Sequence, residues 1–158
     1  MTRKSRIGGI MHNDRLALVG VMAIPSQPGT AGEILSAMGR SQINVQFIVQ
    51  TVDLSGKDHV VFCVNQADCE AALQAVQEVK SKIAAEEIIS EPQVGLISVF
   101  GPDFRQRPGI AGEIFATMGS LGINIKAIST SISTVSLIID VDRVADAVQG
   151  LQSTFEIP

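Results

Sequence analysis

The feature that most constrains this chain is a repeat. From Pro28 it reads PGTAGEILSAMGRSQINVQFIVQ, and from Pro108 it reads PGIAGEIFATMGSLGINIKAIST. The two segments align without a gap at a constant offset of 80 residues. Identities fall at Pro28/Pro108, Gly29/Gly109, Ala31/Ala111, Gly32/Gly112, Glu33/Glu113, Ile34/Ile114, Met38/Met118, Gly39/Gly119, Ile43/Ile123, Asn44/Asn124 and Ile48/Ile128. Self-similarity at a fixed period means that one supersecondary unit is built twice. The 158 residues therefore form two small domains rather than one large one.

Composition narrows the use of such a pair. The chain carries a net charge of −4 and has six Phe but no Trp or Tyr. Nucleic-acid binding needs cations for phosphates and rings for stacking, so no nucleic-acid partner is expected. No run of about 18 apolar residues is present, so no membrane-spanning segment is expected. The basic opening, Thr2 to Arg6, has no apolar stretch behind it and does not read as a secretion signal; a cytoplasmic location is expected. Cys63 and Cys69 match neither a zinc site nor a redox pair and read as small buried hydrophobes. His12 and His59 have no third partner for metal or nucleophilic chemistry, so neither metal nor cofactor is expected.

Each copy can be read locally. Leu16–Ile24 and Val94–Phe100 are short, apolar and β-branched, as buried strands are. After each Pro-Gly the period becomes helical, with Ile34 and Met38 on one face, matched by Ile114 and Met118. Pro28 and Pro108 suit the first helical turn, and Gly39 and Gly119 suit its end. Strands are expected at Ile43–Asp53 and His59–Asn65 in copy one, and at Ile123–Ser131 and Val135–Val141 in copy two. A second helix follows in each, with Asn65 or Asp68 as cap in copy one and a start after Asp142 in copy two. The order is β-α-β-β-α-β, the α+β ferredoxin-like unit. Copy one has Glu86–Glu91 for its last strand, whereas copy two has little after its second helix. The unclaimed segment Arg6–His12 is expected to complete copy two. Copy one, residues 13–91, is then inserted within copy two, residues 6–12 plus 92–158.

A hydrophobic strand, Pro-Gly, a helix and then Ile-Asn-Val or Ile-Asn-Ile resembles the ACT domain, an amino-acid-sensing module. The stretch Ile43–Gln50 is similar to the "INI-x-x-IVQ" run of aspartokinase regulatory regions, and Gly122–Ser131 to their "GINI-x-x-ISTS" run. Arg105-Gln106-Arg107-Pro108-Gly109 stands where that family has an Arg-containing loop. The resemblance runs from Ile7 to Phe155 and implies tandem ACT domains, one embedded in the other. It implies an amino acid effector of the aspartate pathway, lysine or threonine, and a kinase domain or catalytic subunit as partner. It also implies a homodimer through the ACT domains. Nothing in the chain resembles the kinase domain, so regulation rather than catalysis is expected, from a separate β-type subunit or a piece of a longer enzyme.

The contacts implied for the effector are Ser26, Gln27, Gly29, Thr30, Ala31, Asn44, Val45 and Gln50 in copy one. In copy two they are Arg105, Gly109, Ile110, Ala111, Asn124, Ile125, Ser129 and Thr130. The residue chemistry agrees. Free N–H groups at each helix start suit a carboxylate, and Gly29 and Gly109 permit close backbone approach. Asn44 and Asn124, read as strand starts, offer amides toward an ammonium. Three positions depart from the family pattern: Ser26 stands for an Asp, Asp58-His59-Val60 for Thr-Asp-Ile, and Ile132 for a Glu. The lost acids argue against a cationic side chain and leave threonine, another small amino acid or an empty site open. Competing readings are a structural dimerisation module, a regulator of another biosynthetic enzyme, and an acylphosphatase-like enzyme using Arg105 and Asn124.

Overall fold

A computed structural model describes residues 3–102 and 104–158 of the chain. Ten principal elements follow in order: β1 (Gly9–Pro25), α1 (Thr30–Arg40), β2 (Phe47–Val52), β3 (Lys57–Asn65), α2 (Cys69–Ile83), β4 (Glu87–Phe100), α3 (Ile110–Ser120), β5 (Ala127–Thr130), β6 (Thr134–Asp140) and α4 (Val144–Thr154). They fall into two compact units. One is Arg15–Gln93; the other joins the residues up to Asp14 with Val94–Pro158.

In the unit Arg15–Gln93 the strands lie in the order β2-β3-β1-β4. Pairing of β1 with β3, and of β2 with β3, is antiparallel, with Leu18 and Phe47 both opposite Cys63. Alternation in the strands decides the buried face. Ala17, Val19 and Val21 on β1, with Val60, Phe62 and Val64 on β3, meet Ile34 and Met38 of α1 and Val76, Val79 and Ile83 of α2. In the other unit the order is β5-β6-β4 followed by the first residues of β1. Ile97 and Val99 of β4, with Val135, Leu137 and Ile139 of β6, meet Ile114, Met118, Ala147 and Leu151. The close seating of α4 requires Gly95, since a Cβ there would stand 2.2 Å from Val144 Cγ2. Each unit is thus the expected four-stranded antiparallel sheet with two helices, α+β in class.

Residues 5–8 have their own partners in the second unit. The Ile7 amide donates to the Glu156 carbonyl at 3.0 Å, and the Gly8 amide to the Phe100 carbonyl at 2.7 Å. Both cysteines are free and buried, and burial pushes the Cys63 thiol up to about 12. Met38 and Met118 are core residues, at 1 % and 0 % exposure.

Several local expectations need correction. Pro28 and Pro108 are not in the first helical turn. The helices begin at Thr30 and Ile110, and Gly29 and Gly109 are the N-caps with φ of +96° and +102°. Gly39 and Gly119 do not end their helices either. Each chain turn is made three residues later by a left-handed residue, Gln42 (φ 56°) and Gly122 (φ 68°). Strands β2 and β5 start four residues after Ile43 and Ile123, so Asn44 and Asn124 precede them. Asp68 stands at the N-cap of α2, but its side chain makes no capping bond, and α4 follows Arg143 rather than Asp142. Among the described residues no helix is long and apolar enough to cross a membrane.

Candidate functional site

Each unit builds the same scaffold around its Pro-Gly loop. In copy one the Ser26 amide donates to the Gly56 carbonyl at 3.2 Å, fastening the loop to the β2–β3 turn. In copy two the Gly101 amide donates to the Ser133 carbonyl at 3.0 Å, fastening it to the β5–β6 turn. Both loops then reach a left-handed glycine whose carbonyl accepts the first helical bond, from Glu33 or Glu113 at 3.0 Å. A glycine cap has no side chain, and neither helix start has a side-chain cap bond. The first amides of α1 and α3 therefore present the positive end of the helix dipole with no acceptor supplied by a cap.

The loops differ in length beyond the anchor. One residue separates Ser26 from Pro28, whereas six separate Gly101 from Pro108. The longer loop brings Phe104 and Arg107 over the start of α3. Together with Pro108, Gly109, Ile110 and Ala111 on one side, and Thr130, Ser131 and Val135 on the other, they line a cleft of about 170 Å³. At ~30 Å³ per water, that is room for one small amino acid or a handful of waters. Arg107 and the first residues of α3 both line it, and a guanidinium beside a helix start is a combination suited to a carboxylate. No acidic side chain lines it among the described residues. Larger hollows, such as the one of about 630 Å³ beside Lys4, Gln152 and Phe155, are lined by residues outside the Pro108-Gly109 loop.

Of the sequence-expected contacts in copy two, the cleft gathers Gly109, Ile110, Ala111 and Thr130. Both arginines of the loop are exposed, and of the two Arg107, not Arg105, lines the cleft. Ser129 is half-buried opposite Ser136. Asn124 and Ile125 lie past the far end of α3, where Arg143 Nη2 donates to the Leu121 carbonyl at 2.8 Å. An 11-residue helix is ~16 Å long, so one small amino acid cannot touch both Gly109 and Asn124 of the same unit.

Copy one obeys the same limit. Ser26, Gln27 and Gly29 are exposed around the start of α1, while Asn44 and Val45 follow its other end. Thr30 is 3 % exposed and turns its hydroxyl back to the Gln27 carbonyl at 3.2 Å, bracing the loop rather than facing a ligand. Gln50 Nε2 donates to Asp58 Oδ2 at 3.3 Å, and Asp58 is buried. The β2–β3 turn is fixed by Asp53, whose Oδ1 accepts from the Ser55 and Lys57 amides at 2.8 and 3.1 Å. His59 Nε2 lies 3.0 Å from Asp53 Oδ2. These bonds, that of His59 foremost, hold the Asp53 carboxyl below its usual range. Phe104, Arg107 and Ser131 were not expected as contacts. For Arg107 the signal was present, a second arginine directly before Pro108.

Comparison with known proteins agrees with this architecture. A model of the ACT domain matches residues 16–79 and 97–155. An aspartate kinase of Stutzerimonas stutzeri (strain A1501) is 31 % identical over 151 residues, covering 96 % of this chain and 37 % of that protein. The chain thus spans little more than a third of the length of such a relative. Among solved structures, the crystal structure of aspartokinase alpha and beta subunits has a TM-score of 0.87 at 32 % identity, over 94 % of this chain and 97 % of that one. The ligand-free regulatory subunit of aspartate kinase from Thermus thermophilus also has a TM-score of 0.87, at 28 % identity, over 96 % of this chain and 100 % of that one. Both repeats, their order and their helix starts lead to one assignment: the chain belongs to the ACT-domain family, as a tandem pair of the kind that forms the regulatory region of aspartokinases.

Proposed function

We propose that the chain senses an aspartate-pathway amino acid and passes its binding to an aspartokinase catalytic domain or subunit as feedback inhibition in the cytoplasm. The two ACT domains of this reading run over 13–91, and over 6–12 with 92–158. The observation that carries it is the copy-two cleft, where Arg107 and the first residues of α3 line a space the size of a small amino acid. The effector carboxylate sits beside Arg107 and its side chain lies toward Thr130, Ser131 and Val135. In this reading threonine is preferred to lysine, because Ser26 and Ile132 stand where the resembled regulatory regions carry acids. Because Asn44 and Asn124 lie a helix length from their own loops, a second copy of the chain supplies the remaining contacts. A reciprocal coupling of about 1–3 kcal/mol between effector and kinase substrate is expected.

Titration calorimetry with threonine, lysine and methionine tests this directly. Threonine is expected to bind more tightly than lysine, and three flat titrations would refute the sensing role. A dimerisation module without a ligand is the second reading. It is favoured by Val52 and Ile132, equivalent positions of the repeat beside the outer strands β2 and β5, which are 59 % and 60 % exposed. Sedimentation showing a dimer alongside flat titrations would select it.

A further inference from the structure

We propose that His59 is a positioning residue for the first Pro-Gly loop that works only as a neutral imidazole, so that protonation frees the β1 end of that loop. His59 sits on β3 with its side chain 23 % exposed. Its Nδ1 accepts the Ala23 amide at 3.1 Å, so Nδ1 carries a lone pair and the ring proton is on Nε2. That Nε2–H points at Asp53 Oδ2, 3.0 Å away, and Asp53 is itself fastened to the turn by the Ser55 and Lys57 amides. The imidazole therefore bridges the β2–β3 turn to β1 at one particular place. Ala23 has φ 55°, a conformation unfavourable for an L-residue, where the β1–β3 register shifts between Val21 and Ile24. Three residues on, the Ser26 amide is bound to the Gly56 carbonyl of the same turn. Turn, imidazole, bulge and loop form one continuous set of bonds.

Protonation acts oppositely on the two ends of the bridge. At Nε2 the bond to Asp53 becomes an ion pair and strengthens. At Nδ1 an N–H now faces the Ala23 N–H, and two donors cannot bond. The other charged groups nearby are Lys57, paired with Glu86 at 3.8 Å, and Asp58, buried beside Gln50. The only other histidine, His12, is exposed and belongs to the other unit, so copy two has no counterpart.

The test is an NMR titration of the ¹⁵N-labelled full chain from pH 8 to 5, the span in which histidines commonly titrate. At pH 8 the His59 ring nitrogens are expected to report the Nε2–H tautomer. As His59 titrates, Ala23 exchange, corrected for its intrinsic pH dependence, is expected to speed up by about five- to tenfold, the worth of one hydrogen bond. The Ser26 amide shift is expected to follow the same curve, not that of His12. His59→Phe is expected to leave Ala23 fast at both ends of the range. An Nδ1–H tautomer at pH 8, or Ala23 protection unchanged through the His59 titration, would overturn the proposal. The functional weight of the strut rests on reading this loop as an effector contact. The measurements are made on the free protein, so a chain that bound no amino acid would still show or refute the strut.

Discussion

Alanine at Gly109 and alanine at Gly112, introduced one at a time, are expected to move stability in opposite directions. The two glycines are three residues apart in the same motif, and a Cβ on either meets nothing within 4 Å. Crowding is therefore removed from the comparison, leaving only backbone conformation. Gly109 holds φ at +102°, where an L-residue costs about 1–2 kcal/mol, so Gly109→Ala is destabilising by that amount. Gly112 is helical and exposed, where alanine is better than glycine by about 0.5–1 kcal/mol, so Gly112→Ala is stabilising. The two variants should differ by roughly 1.5–3 kcal/mol, or about 6–20 °C in Tm for a domain of this size. Urea unfolding of the full chain, with midpoints compared at a common slope, measures this difference. Gly29→Ala and Gly32→Ala repeat the experiment in copy one, where φ at Gly29 is +96°. A neutral Gly109→Ala, or a destabilising Gly112→Ala, would refute the left-handed cap as the device that opens the helix start. The Gly109 cap also borders the cleft, so its alanine variant should weaken threonine binding, while Gly112→Ala should leave it intact.

Three further outcomes are expected. Gly95→Ala places a Cβ 2.2 Å from Val144 Cγ2 and should destabilise by about 1–3 kcal/mol in urea unfolding; a neutral result would mean α4 does not seat directly on β4. Arg107→Gln should reduce threonine affinity at least tenfold by calorimetry while Arg105→Gln leaves it unchanged, and equal losses would show that the carboxylate pole is misplaced. The folded pKa of Asp53 is depressed, chiefly by His59, so the stability it lends is present above the unfolded carboxylate value, about 3.9, and lost as pH falls through the lower folded value. The Ser55 and Lys57 amides should accordingly keep their shifts down to about pH 4, and loss of the turn by pH 5 would contradict the bonding around Asp53.

How much of this was legible in the sequence depends on what each signal encodes. The offset of 80 fixed the fold because the paired positions, Ile34/Ile114 and Met38/Met118, are core positions of the same unit. Strand extents were read too short where polar residues or proline interrupt an apolar run. Asn13-Asp14-Arg15 lies inside β1, and Pro92 inside β4, so both strands continue through residues that ordinarily punctuate. Asn44 and Asn124 stand a helix length from the Pro-Gly loop of their own unit, which the motif does not announce. A shared motif carries no information that 11 residues of helix separate its two ends. Arg105 and Arg107 are one dipeptide step apart, and side-chain direction in an irregular loop cannot be read from spacing.

The differences between the copies carry more functional information than the identities. Both loops keep the same anchor to the neighbouring turn, Ser26 to Gly56 and Gly101 to Ser133, so the framework was held constant while the segment after it varied. In copy two that segment is longer and supplies Phe104 and Arg107 to a cleft. In copy one it is short, and the chemistry moves to the strands beside it, where His59 ties Ala23 to Asp53. On the two proposals above, one scaffold offers a carboxylate pole in one domain and a proton-sensitive brace in the other. The two copies are therefore expected to differ in their response to pH, which acts through His59 in the first alone. Perturbing Arg107 should leave the Ala23 titration unmoved, because no element of the copy-two cleft enters that chain of bonds.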